Sequence, residues 1–151
     1  MLFVRLALVP AVAVLVAACS SGGTSTTPTS TSAPSSSAVA TRIDVKLTDA
    51  LKIELAMMTV PAGVPVTFVV SNSGATDHEF YLGDEAAQAA HEKEMMGMGG
   101  MAHDDPAGIA VKPGETKELT YTFDAVGTTL AGCHVAGHYG AGMKADITVG
   151  G

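Results

Sequence analysis

Past Thr41 the chain is broken by turn signals at short intervals: Pro61-Ala62-Gly63, Ser73-Gly74, Lys112-Pro113-Gly114 and the glycines at 137, 140 and 142. Segments this short suit strands better than long helices. Residues 42–47 put Ile43, Val45 and Leu47 on one face, and residues 115–123 (ETKELTYTF) alternate again, the period of a half-buried strand. Residues 65–72 (PVTFVVSN) read strongly as a strand, and residues 52–60, 78–82, 128–133 and 143–149 complete the set. With many short strands and no alternating strand–helix units, the pattern predicts an all-β fold, a β-sandwich. One segment departs from it. Residues 84–96 (DEAAQAAHEKEMM) have helical composition with acidic residues in the first turn, and the Gly/Met-rich loop GMGGMAHDDPAG follows. Together they read as an insertion between two strands.

The first 40 residues cannot contribute to that fold. Residues 1–18 (MLFVRLALVPAVAVLVAA) place one basic residue before an apolar run too short to span a membrane comfortably, then small residues, as a secretory signal peptide does. Leu15-Val16-Ala17-Ala18-Cys19 resembles a bacterial lipobox, so Cys19 is expected to be the lipidated first residue of an exported protein held at the extracytoplasmic face of a bacterial membrane. Residues 20–40 are almost entirely Ser, Thr, Gly, Pro and Ala, a flexible tether. The predicted domain is therefore residues 41–151, enough to bury one core.

The formal net charge of −7 makes nucleic acid an unsuitable partner, because an acidic surface repels a phosphate backbone. The chain has two cysteines, Cys19 and Cys133. With Cys19 assigned to the lipid, Cys133 is a free thiol outside the cytosol, open to oxidation unless something occupies it.

The residues around it suggest what does. Cys133 is followed after four residues by His138, and after four more by Met143. A thiolate, an imidazole and a thioether on one glycine-containing loop can converge on a single ion. Soft sulfur donors disfavour magnesium and calcium, and one Cys with His and Met is a poor structural zinc set. Two His, one Cys and a weak axial Met describe a blue-copper electron-transfer site. His78 is the best candidate for the second imidazole, since it follows the strong strand 65–72 and opens another.

Asn72, His78-Glu79-Phe80 and Cys133-x4-His138-x4-Met143 together resemble the cupredoxin family of small blue copper proteins, over the whole of residues 41–151. The resemblance implies a Greek-key β-sandwich with type 1 copper at one end. It implies His78, Cys133 and His138 as a trigonal plane and Met143 as the weak axial ligand. The expected role is that of an electron carrier between redox partner proteins at the membrane, a monomer and not an enzyme; the chain has no paired His-x-His motifs of the kind multicopper oxidases use. The alternative is copper sequestration or delivery to copper-handling proteins.

Three features stay open at this level. His134, next to Cys133, should point away from the ion by strand parity and so be a surface residue, or else pass electrons. Glu79 is either a hydrogen-bonding support for the Cys loop or a solvated carboxylate. His91, Met95, Met98, Met101 and His103 either form a second Cu(I) site, since thioethers select that ion, or pack the helix and fill a loop.

Overall fold

The computed structural model describes residues 41–151; the expected signal peptide, the expected lipidation at Cys19 and the expected tether lie outside the described residues. Among the described residues nine strands and one helix follow in the order β1 (Thr41–Thr48), β2 (Lys52–Leu55), β3 (Thr59–Pro61), β4 (Pro65–Asn72), β5 (His78–Gly83), α1 (Glu85–Gly97), β6 (Gly108–Val111), β7 (Thr116–Thr122), β8 (Gly127–Gly132) and β9 (Lys144–Gly150). One sheet is ordered β2-β1-β4-β7 and the other β3-β9-β8-β5-β6. The chain crosses from one sheet to the other between β2 and β3, β3 and β4, β4 and β5, β6 and β7, and β7 and β8, which makes the sandwich expected from the sequence.

Alternation decides which side chains meet between the sheets. Ile43, Val45 and Leu47 of β1, and Val66, Phe68 and Val70 of β4, all turn inward and are buried. Phe68 reaches across to Phe80 of the opposite sheet, ring centroids 5.3 Å apart, and to Phe123 at 6.3 Å edge-on. β4 lies between β1, to which it runs parallel, and β7, to which it runs antiparallel. That central position matches its almost continuous apolar sequence.

Two details differ from the sequence reading. Residues 52–60 are not one strand: β2 pairs with β1 in the first sheet, whereas β3 pairs in parallel with β9 in the second. The chain changes sheets at the exposed Met57 and Met58, a crossing that a mixed apolar pattern does not mark. Strand β6 falls just after the Met/Gly loop and pairs with β5 from His78↔Val111 to Tyr81↔Gly108. Four residues at a sheet edge are too few to show a period.

Helix α1 starts where composition places it. Asp84 caps it, its side chain accepting from the Ala87 N–H at 2.8 Å. Its buried residues are Gln88, His91 and Met95, one side of the helix by their spacing. That inner face is largely polar, which is unusual for a helix docked on a sandwich. It lies over β5 and β8.

Candidate metal centre

Three of the four candidate donor residues sit at strand ends. His78 is the first residue of β5, Cys133 follows the last residue of β8, and Met143 precedes β9. Residues 133–143 form a tight loop closed by Cys133 N–H to Met143 O (3.1 Å) and Met143 N–H to His138 O (3.0 Å). Of the three loop glycines, Gly137 and Gly142 adopt positive φ (83° and 95°), where an L side chain is strained.

The donor atoms of His78, Cys133 and His138 all lie within 4.8 Å of one another. Cys133 Sγ is 3.8 Å from His78 Nδ1 and 3.5 Å from His138 Nδ1. An ion with bonds of roughly 2.0–2.3 Å in a trigonal plane separates its donors by about 3.5–3.8 Å. The spacing thus already leaves the room one ion needs. The set has no carboxylate, two imidazoles and one thiol, with Met143 fully buried at the loop's end. Soft and borderline donors of this kind fit copper.

The His78 tautomer follows from a residue that sequence reasoning missed. His78 Nε2 lies 3.3 Å from Asp49 Oδ1. A carboxylate can only accept, so the proton sits on Nε2 and the Nδ1 lone pair faces Cys133. Asp49 is itself fixed by the Ala75 N–H (2.7 Å) and the Thr76 hydroxyl (2.8 Å), and these donors, Ala75 first, hold its pKa down at about 2. A Cβ on Gly74 would collide with that carboxylate. Asn72 steadies the same turn by donating to Thr76 O (2.8 Å) and Val111 O (2.9 Å). Nothing in the sequence near Asp49 signals this role, because its partners lie in the turn before β5.

His78 is fully buried, whereas His138 is partly exposed at the rim. Burial, reinforced by neighbouring His78, lowers the pKa of His138 and keeps it neutral and able to donate a lone pair. Burial pushes the Cys133 thiol up to about 11, against the Glu79 N–H, which donates to Sγ at 3.3 Å. The sign is that of an acid whose charged form is penalised: the copper-free protein holds a protonated thiol at neutral pH, and taking up a metal must release that proton. Alkylation of Cys133 in the copper-free protein by iodoacetamide is therefore expected to rise with pH to a midpoint near 11 rather than the ordinary 9. A midpoint at or below 9 would mean that the thiol is more solvated than the structure shows.

The outer side of the site corrects one expectation and decides another. His134 does point away from Cys133, but it is only 1% exposed, not a surface residue. Parity tells which way it faces; helix α1 covers that face. Its Nδ1 is 2.6 Å from Glu92 Oε2 and its Nε2 2.7 Å from Gln88 Oε1, and Tyr139 stacks on its ring at 4.4 Å. Burial lowers its pKa, opposed by the Glu92 carboxylate. The fit is close: a Cβ on Gly132 would meet Tyr139 Cε2 at 2.9 Å and collide with Gln88 Oε1. Glu79 is not solvated. It is fully buried and accepts the His134 N–H at 3.2 Å, so it supports the Cys loop.

The Met/His segment is only partly gathered. The His91 and His103 rings are 5.5 Å apart, Met95 is fully buried, and Met98 and Met101 are exposed (41% and 71%). His91 is already engaged, its Nε2 lying 3.1 Å from Glu79 Oε1.

No family model matches the chain. The copper-resistant cuproprotein CopI of Rubrivivax gelatinosus is 36% identical over 117 residues, spanning 77% of this chain and 71% of that protein. The protein of the same name from Pseudomonas aeruginosa is 36% identical over 146 residues, spanning 77% and 80%. Among solved structures, auracyanin from the photosynthetic bacterium Roseiflexus castenholzii superposes with a TM-score of 0.64 at 26% identity, covering 74% of this chain and 98% of that one.

Proposed function

The chain belongs to the CopI family of copper-resistance cuproproteins, on a cupredoxin fold, and from that premise we propose that it holds one copper ion through His78, Cys133, His138 and Met143 and exchanges single electrons through it in the service of copper resistance. The observation that carries this reading is the convergence of the His78, Cys133 and His138 donor atoms within 4.8 Å, with Met143 buried at the end of the same loop. Copper bound there supplies a one-electron Cu(II)/Cu(I) couple. The residues do the rest. Asp49 holds the His78 ring in its donor tautomer, and the Glu79 N–H holds the thiolate. Two strand ends and a loop with internal hydrogen bonds keep all of them from moving when the charge changes. His138, partly exposed, gives the site its one edge toward a redox partner. The leader and the small-small-Cys ending at Cys19 support a place at the extracytoplasmic face of the membrane, among redox or copper-handling partners.

A second reading, copper sequestration or delivery, is favoured by one observation. His103 Nδ1 is buried without a hydrogen-bond partner, beside His91 and on the Met-bearing segment. In this reading copper is cargo, and His103, Met98 and Met101 supply an exchange site for Cu(I).

Titrating Cu(II) into the purified copper-free protein separates the two. Electron exchange predicts an intense thiolate-to-copper absorption band saturating at one equivalent, then no further uptake of either Cu(II) or Cu(I). Uptake of Cu(I) beyond one equivalent, lost in His103→Ala, would give the function to copper handling. The absence of any thiolate band would sink the electron-exchange reading.

A further inference from the structure

Glu79 is the place where the insertion meets the thiolate. On β5 Glu79 turns its side chain to the face opposite His78 and Phe80, as alternation requires, while its N–H stays in the plane of the sheet. Its N–H donates to Cys133 Sγ at 3.3 Å, while its carboxylate passes under helix α1. There one oxygen accepts the His134 N–H at 3.2 Å, and the other takes His91 Nε2 at 3.1 Å. Both Glu79 and His91 are buried, at 0% and 3% exposure. A buried carboxylate costs several kcal/mol unless its oxygens are satisfied, and His91 satisfies the oxygen that the Cys loop does not. The His91 ring cannot swing freely. It stacks on Tyr81 with centroids 3.9 Å apart and planes 3° from parallel, and its next nearest carboxylate, Glu94, is 3.9 Å from Nδ1, too far for a hydrogen bond. Gln88, one turn earlier, ties the same helix to the sheet by donating to Leu130 O at 3.0 Å and Tyr81 O at 3.2 Å.

The inner face of the helix thus bears polar side chains where leucines would dock it more simply, and they lead to the sulfur. We propose that His91 is a positioning residue for the copper thiolate: by holding the Glu79 carboxylate against the His134 N–H, it fixes the Glu79 N–H on Cys133 Sγ and the Cys133–His134 peptide behind it. This rests on the reading of Cys133 as the copper ligand. A hydrogen bond to the thiolate sulfur favours the more electron-rich reduced state and tunes the potential of such a centre. The helical insertion therefore sets the electronic state of a site from which it is separated by a strand.

The test uses His91→Phe, which keeps a flat ring against Tyr81 but removes the donor, and His91→Gln, which restores a donor nitrogen. In the copper-free protein, amide hydrogen exchange at Glu79 and His134 is expected to speed up about tenfold in His91→Phe, the effect of losing one net hydrogen bond, while Phe80 and Ala131 stay protected. In the copper-loaded protein the same variant shifts the thiolate-to-copper band and lowers the reduction potential, and His91→Gln returns both toward wild type. Unchanged exchange, or a band and potential equal to wild type in His91→Phe, overturns the proposal, as does a His91→Gln that behaves like His91→Phe. If the wild type itself shows no band, the copper reading fails, and the exchange arm still decides whether His91 holds Glu79.

Discussion

Cys133→Ser is expected to abolish the thiolate-to-copper band completely while leaving the fold intact. The band requires charge transfer from sulfur, and a serine hydroxyl supplies neither the soft donor nor an accessible anion. His78, His138 and Met143 remain, so Cu(II) still binds, weakly and with the pale spectrum of nitrogen and oxygen ligation. The cost to the copper-free protein is small. Serine fills nearly the same volume at this fully buried position, and its oxygen can still accept the Glu79 N–H, so a loss of about 1–2 kcal/mol is expected for the more polar atom. Absorption spectra of the loaded variant and thermal unfolding of the copper-free variant check the two halves. An intense band surviving in Cys133→Ser would place the thiolate elsewhere, and Cys19 is the other cysteine in the chain.

Phe80→Ala has the opposite profile, a large effect on the fold with every donor left in place. Phe80 is fully buried, packs on Phe68 with ring centroids 5.3 Å apart, and stands two residues beyond His78 on the same inward face of β5. Removing the ring empties the centre of the sandwich, and substitutions of this kind cost about 3–5 kcal/mol. For a domain whose total stability is on the order of 5–15 kcal/mol, that is about a fifth or more of what holds it together. The Tm of the copper-free protein is expected to fall by about 15 °C or more. Copper added in excess should recover part of the loss, because an ion that binds only the folded state stabilises it by mass action. A fall equivalent to less than about 1 kcal/mol would show that neighbouring side chains close the cavity.

The two variants also separate what was legible in the chain from what was not. Phe80 and Cys133 can both be placed from sequence, since each sits on a recognisable strand or at the end of one. The strands with clear alternation, β1 and β7, and the almost continuously apolar β4 lie within a residue or so of where the pattern puts them. The division of residues 52–60 between two sheets, at the exposed Met57 and Met58, leaves no mark in their mixed apolar pattern. Strand β6 pairs along an edge over four residues, which is too short for a period.

By itself, the sequence determined the inward-facing core and marked the candidate donors of the loop after β8. Thiol, imidazole and thioether lie within one short segment there, and the approach of Cys133 to His138 is a local matter of chain length and glycine. It also determined, through strand parity, that His134 faces away from Cys133. Only the tertiary structure decided what His134 faces. The partners of that outer side, Gln88 and Glu92 for His134 and His91 for Glu79, come from a helix inserted after β5, and Asp49 reaches His78 from another hairpin. Each is a contact between polar groups far apart in the chain, with no period to announce it. Alternation along a strand encodes which side is inward; what covers the other side is settled only when the rest of the chain packs against it.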